Sequence, residues 1–308
     1  MNGIANRLPG WRGQRGMAVI GALLVVVVAS VSASRLIERQ GLLTQSLIAE
    51  NDRLQAIWLL RGGLDWARVV LDWDARRNPT TRGDAEWARP IDALSLPLPD
   101  EGRSATFTGR IEDAQARLNL NNLAREGRVL PEQQRILERL LALLQLPPAL
   151  ATDIAARIAQ GQPAPGRPAP LVALRDIGDL ASLPGMTPEG LDLLRPYLTV
   201  LPEPTPVNPN TARPEVLSAL YEGLSLADAR LQADRRDKGQ WFNDPADFLN
   251  RTRQEQNPRA ARDTLATRSA WFRVLGQVSL GQAAVGLEAL LHRDPQGTSR
   301  ILWIRELR

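Results

Sequence analysis

Few side chains of this 308-residue chain could do covalent chemistry. His292 is the only histidine, and cysteine is absent. His292 falls in a predicted strand, and no Gly-x-Ser-x-Gly elbow accompanies it. A histidine-based triad, a multi-histidine zinc site and an HExxH metalloprotease are therefore excluded. No phosphate loop or Gly-x-Gly-x-x-Gly turn occurs either. Asp72, Asp74, Asp84 and Glu86 offer oxygen atoms that a calcium ion would accept. They lack the spacing and the turn glycine of a dedicated calcium loop. Carboxylate-only catalysis stays open, with nothing pointing to it. The chemically telling spot is a peptide bond, Gly16–Met17. Arg7, Arg12 and Arg15 precede it, no acid occurs before Glu38, and an uncharged run follows from Met17 to Ser34.

That run holds 18 residues. As a helix it spans about 27 Å, close to the hydrocarbon thickness of a bilayer. The arginines place the N-terminal end in the cytoplasm. A basic leader ending in Gly and joined to an apolar helix resembles a type IV prepilin-like N-terminus. Its peptidase cuts before the apolar helix, so the anchor survives. Two other fates are open. A Sec signal peptide would be cut after Ala33, removing the anchor, and a plain signal anchor would not be cut. The next residues favour the first. No proline interrupts Leu36 to Leu71, and apolar residues recur at helical spacing at Leu36, Leu43, Leu47, Leu54, Ile57, Trp58 and Leu64. One rod is expected, anchored in lipid below, with a stripe of its upper part packing under a globular head. Gly62-Gly63 would bend or loosen it.

The net charge is +4 and comes almost entirely from arginine. Acids and bases are interspersed, which argues against nucleic acid as the main partner. Residues 74 to 102 read as a connecting loop, pinned to the domain surface by Trp73 and Trp87. Ser104 to Ile111 alternates as a half-buried strand, with Phe107 and Ile111 on one face. In Glu112 to Leu123, asparagines suit a strand end and turn, because they bond nearby backbone. The middle is helical. Pro131 opens one helix, another covers 148 to 160, and short helices flank Leu183-Pro184-Gly185-Met186. Further helices run from Pro214 to Leu220, from Ser225 to Asp237 and from near Pro245. Residues 202 to 206 form a stiff connector. Trp271 to Leu280, Ala284 to Leu291 and Arg300 to Ile304 read as strands joined by short turns.

The expected fold class is α+β. A pilin-like long N-terminal helix packs on a small antiparallel sheet, with a large all-α insertion between strands. The expected divisions are a leader (1–16), a transmembrane part (17–34), an amphipathic stem (35–73), the sheet (74–117 and 269–308) and the helical insertion (118–268).

Several motifs in order make the chain resemble the type II secretion protein K family, the large minor pseudopilins. They are Arg15-Gly16-Met17, Glu112-Asp113-Ala114-Gln115 with Asn119-Leu120-Asn121, Leu183-Pro184-Gly185-Met186-Thr187, Leu201-Pro202 and Asn208-Pro209-Asn210-Thr211-Ala212. The fifth residue after Gly16 is Gly21, where major pilins carry a Glu; family K commonly lacks it. The resemblance implies cleavage between Gly16 and Met17 by prepilin peptidase and N-methylation of Met17. It implies an inner-membrane subunit, N-terminus cytoplasmic and C-terminal domain periplasmic, without enzymatic activity. The expected function is that of a tip subunit, which caps or initiates the periplasmic pseudopilus for export across the outer membrane. Its stem would pack with I-type and J-type minor pseudopilins through Leu43, Leu47, Leu54, Ile57 and Trp58. The secretin and the exported proteins are candidate contacts of the tip. Family members carry a calcium-associated acidic, aromatic stretch before the Pro-Gly-Met turn. Here that interval is GQPAPGRPAPLVALRD, so no cofactor is expected.

A second function competes. Segments around Leu183–Thr187 and from Asn210 to Leu249 resemble helix-hairpin-helix units, which grip DNA phosphates through backbone amides. Thr187 and Ser225 stand where the second turn glycine belongs. Arg230, Arg235, Arg236 and Lys238 lie among Asp228, Asp234 and Asp237. A membrane-anchored, competence-like DNA-binding protein is the alternative, and the mixed charge argues against it.

Overall fold

The computed structural model describes residues 14–99, 102–254 and 263–307. Residues 1–13, most of the expected leader, lie outside them. One helix, α1, runs unbroken from Gln14 to Arg77, about 96 Å at 1.5 Å per residue. Its apolar N-terminal part is long and hydrophobic enough to cross a membrane, and none of it is covered by the rest of the chain.

The head begins where α1 meets a five-stranded antiparallel sheet in the order β1-β2-β7-β8-β9. These strands are β1 (Ile91–Pro97), β2 (Ser104–Asp113), β7 (Trp271–Leu280), β8 (Ala283–Arg293) and β9 (Ser299–Leu307). Ala56, Leu60, Leu64, Ala67 and Leu71 on α1 are buried at i, i+4, i+8, i+11 and i+15, one face of a helix. They pack on Ala105, Phe107, Ile111, Val274, Val278, Leu287 and Leu291 from the sheet.

Between β2 and β7 stands the insertion, which has its own apolar core. Its helices are α2 (Pro131–Leu143), α3 (Leu150–Gln160), α4 (Pro188–Leu194), α5 (Pro214–Leu220), α6 (Leu226–Asp237) and α7 (Pro245–Thr252). Proline sits in the first turn of four of them, where its missing N–H costs nothing.

Four expectations change. Residues 74 to 102 are not all loop, because β1 pairs with β2 at the sheet edge. That strand was hard to read because Ala93 takes φ 51° at a register shift, which breaks the alternation. Trp87 does pin the segment; it is 2 % exposed and stands edge-on to Phe272. Trp73 does not, at 44 % exposed under the Arg77 guanidinium. Gly62-Gly63 leaves the helix continuous. A Cβ on Gly63 would lie 2.7 Å from the Phe107 ring, and one on Gly109 2.8 Å from it. Those two glycines form the slot that seats Phe107 between helix and sheet. The insertion, finally, is not purely helical. β3 (Leu118–Asn119) pairs in parallel with β6 (Leu198–Thr199), and β4 (Ala124–Arg125) forms a hairpin with β5 (Arg128–Val129).

Candidate functional site: the stem face and the seam of the head

The stem shows two faces. The buried stripe described above is covered by the head. Leu43, Leu47, Leu54 and Trp58 are exposed, with Leu47 at 70 % and Trp58 at 66 %. At 100° per residue, the mean direction of these four lies about 130° around the helix from the buried stripe. The sequence had merged both faces into one stripe. Leu64 belongs to the covered face, and Ile57 lies between the two, partly buried against the sheet core. Met17 is exposed within α1, and Gly16 lies in the same helix.

The head is tied to the stem at both ends of the sheet. At the lower end, Arg53 makes two 2.9 Å hydrogen bonds to Glu306, and Arg103 donates to buried Asp52 at 2.5 Å. At the upper end, Arg293 donates to the Leu71 carbonyl at 3.2 Å and stands 3.6 Å from Asp74. Both partners sit near the C-terminal end of α1, farthest from the apolar segment.

The insertion joins the sheet at this upper end, through a buried polar hub. Asp113, at the end of β2, accepts hydrogen bonds from Ser269 Oγ and Thr211 Oγ1 at 2.6 Å, from Asn208 Nδ2 at 2.9 Å and from the Gln115 amide at 2.8 Å. Asn208 Nδ2 also donates to the Thr81 carbonyl at 3.1 Å. Arg293 donates to Thr81 Oγ1 and to the Ser269 carbonyl, both at 2.8 Å. Stem, β1 leader segment, β2, insertion and β7 thus meet at one cluster. Burial pushes the Asp113 carboxyl above the usual carboxylate range, against the four hydrogen bonds that favour its ionised form.

A second tie crosses the outer face of the sheet. Glu112 accepts from Arg110 at 2.8 Å and Arg117 at 2.6 Å. Arg273 and Arg305 both pair with buried Glu288, and Arg305 reaches Asp176 of the insertion at 2.9 Å. Burial would raise the Glu112 carboxyl, but Arg117 and Arg110 hold it below the usual range. The same opposition holds Asp176 low, through the Gly178 amide and Arg305.

Asn119 bonds nearby backbone as the sequence suggested, accepting from the Asn121 amide at 3.2 Å, and the asparagines also bond distant backbone. Asn119 donates to the Glu203 carbonyl at 2.7 Å and accepts from the Leu201 amide at 3.1 Å. Asn122 makes a reciprocal pair with Thr205, at 2.7 and 2.9 Å. They clamp the proline-rich connector along its length. His292 stacks against Trp271 at 4.5 Å between ring centroids.

The acidic side chains once considered for calcium are dispersed into separate pairs. Asp72 accepts from the Ser299 amide, Asp74 from Asn78, Asp84 faces Arg82 and Glu86 faces Arg89. In the interval where family members carry acids, residues 161 to 175 hold no carboxylate. Asp176 is engaged by the Gly178 amide and Arg305. These residues do not fit a calcium ion. The hairpin positions are likewise used internally. Thr187 Oγ1 caps α4 by accepting from the Gly190 amide, and Ser225 Oγ caps α6 by accepting from the Asp228 amide.

The sequence motifs around Asp113 and Asn208 were visible, but nothing in them said that they pair. Arg293 and Ser269 carried no signal at all, since each looks like an ordinary strand-end residue.

Known proteins agree with this architecture. Two family models of type II secretion system protein K match residues 116–203 and 207–268. A type II secretion system protein K of Pseudomonas aeruginosa is 30 % identical, over 94 % of this chain and 92 % of its own length. That of Klebsiella pneumoniae is 29 % identical, over 91 % and 93 %. Among solved structures, a chain of the GspK-GspI-GspJ complex from enterotoxigenic Escherichia coli superposes with a TM-score of 0.65. It is 19 % identical, with 84 % of this chain and 98 % of that chain covered, a likeness of fold. The chain belongs to the type II secretion system protein K family, and it is a minor pseudopilin of that system.

Proposed function

We propose that this pseudopilin is the tip subunit, capping or initiating a periplasmic pseudopilus without catalysing a reaction. The observation that carries this is the position of the insertion. It is fastened to the sheet beside the C-terminal end of α1, at the end opposite the membrane segment, through Asn208 on Thr81 and Asp113. A subunit added above would need its own stem to pass through that mass. The uncovered stripe of Leu43, Leu47, Leu54 and Trp58, with Ile57 at its border, takes the stems of the I-type and J-type minor pseudopilins. The related Escherichia coli assembly, which contains all three, supports that pairing. α1 anchors the chain in the inner membrane, N-terminus cytoplasmic, with the head in the periplasm. No cofactor is required, because arginine pairs and the Asp113 hub hold the insertion. The exported proteins and the secretin would be met by the insertion.

Gold labelling of an epitope placed on the exposed 165–170 loop tests the tip assignment. Label at one end of purified pseudopili is expected; label along the shaft would overturn it. Processing is tested separately by intact mass of membrane-extracted protein. A chain beginning at N-methylated Met17 is expected. A chain beginning at Ser34 would mean that the anchor is removed, and an uncut chain would mean a plain signal anchor.

A further inference from the structure

The sheet of the head ends in two edge strands, β1 and β9. An edge carries a row of unpaired backbone N–H and C=O groups, a ready template for another strand. β1 is blunted. Ala93 at φ 51° and a register shift break its ladder, and Pro97 closes it. In β9 the register shift lies higher up, and Trp303 to Leu307 pairs residue for residue with Leu290 to Gly286. The two charges in that stretch are turned to partners within the chain, Arg305 to Glu288 and Asp176, and Glu306 to Arg53. Ile304 is 50 % exposed.

The ladder tells which groups face outward. Successive residues of an antiparallel strand turn their N–H and C=O alternately to one neighbour and to the other. The Arg293 amide donates to the Ala270 carbonyl, away from β9. Its partner Ser299 turns outward too, its carbonyl accepting from Arg68 Nε at 3.1 Å and its amide donating to Asp72 at 2.7 Å. Ala289 and Leu287 stand at even spacing from Arg293, so their partners Ile304 and Glu306 also turn N–H and C=O outward. The stem takes those groups at Ser299. At Ile304 and Glu306 no strand among the described residues does.

The stem tells what lies beyond this edge. β9 runs down α1, with Ser299 beside Arg68 and Asp72, and Glu306 beside Arg53. At 100° per residue, those three stem residues lie about 20–120° around the helix from the buried stripe. The exposed stripe follows in the same sense. The tie of Asp52 to Arg103, on the β1 side, lies about 80° the other way. A strand added to β9 therefore sits over Leu54 and Trp58, at the level of Glu306. We propose that the open edge of β9 pairs with an edge strand from the head of the minor pseudopilin whose stem lies on Leu54 and Trp58. Main-chain hydrogen bonds then join the two sheets. The pairing rests on the stem contact proposed above and extends it from helix to sheet.

The test uses the detergent-solubilised full chain, titrated with the I-type and J-type pseudopilins of its own system and followed by hydrogen exchange at single amides. The Ile304 and Glu306 amides are expected to exchange freely in the chain alone and at least tenfold more slowly in the complex. The Arg305 amide, turned toward β8, should change little. Ile304→Pro removes an N–H that the chain's own sheet does not use, a change that an edge strand tolerates. It should weaken partner binding at least tenfold at an unchanged thermal midpoint, while Ile304→Val binds as the wild type does. Exchange in the wild-type chain decides the matter if Ile304→Pro melts early. Partners that bind while both amides stay unprotected would overturn the strand pairing and leave the stem contact standing. A folded Ile304→Pro that binds at full strength would do the same. No binding by the wild-type chain would overturn both.

Discussion

Leu47→Asp and Leu54→Asp are each expected to abolish co-purification with the I-type and J-type partners while the head melts as in the wild type. The two leucines are exposed on the stem face turned away from the sheet. Neither contributes to the sheet core, so the folded chain loses nothing by the change. In a bundle of stems, each would be buried against a neighbouring helix. Replacing a buried leucine forfeits about 1.5–3 kcal/mol of apolar transfer. Burying an unpaired carboxylate adds a further cost of several kcal/mol. Ala56→Asp is the control with the opposite outcome. Ala56 is fully buried under the head, so this change should unfold the head itself. Co-purification of Leu47→Asp and Leu54→Asp at wild-type yield would show that the stems meet through another face.

Asp113→Ala should loosen the insertion from the sheet, at a cost on the order of 1–3 kcal/mol for each buried donor left without an acceptor. Four hydrogen bonds are lost at once, from Ser269 Oγ, Thr211 Oγ1, Asn208 Nδ2 and the Gln115 amide. Each is enclosed, so water replaces the carboxylate poorly. The insertion and sheet have separate apolar cores. The expected result is therefore early proteolysis at the junctions near residues 114 and 268, with the two cores still intact. Urea unfolding of the full chain, followed through its tryptophans, measures the loss. The pH dependence has a definite sign. Burial raises the folded carboxyl above its unfolded value. Its contribution is thus fully present below the ordinary aspartate value of about 4 and declines as pH rises through the folded value. Asp113→Asn should remove that slope; a slope equal to the wild type's would assign it to other groups. Wild-type stability in Asp113→Ala would show that the hub does not hold the seam.

Much of this protein was legible in one dimension. The arginine leader and the uncharged run are local facts of composition, and hydrophobic transfer decides their fate without any tertiary contact. The insertion helices were equally readable, because proline at their first turns and apolar periodicity act within one segment. The three C-terminal strands could be placed to within a few residues. Only the tertiary structure decided which stripe of the stem the head covers. Leu47 and Leu64 are equally apolar, and burial depends on where the sheet docks. It alone revealed β1, whose bulge at Ala93 hides the period of two. It also gave Gly63 its purpose, since the ring that needs the space is 44 residues away in sequence, at Phe107. Above all it assembled Asp113, Asn208, Ser269 and Arg293. Each such side chain has its partners in other segments, and hydrogen bonds between distant segments leave no periodic trace in a sequence.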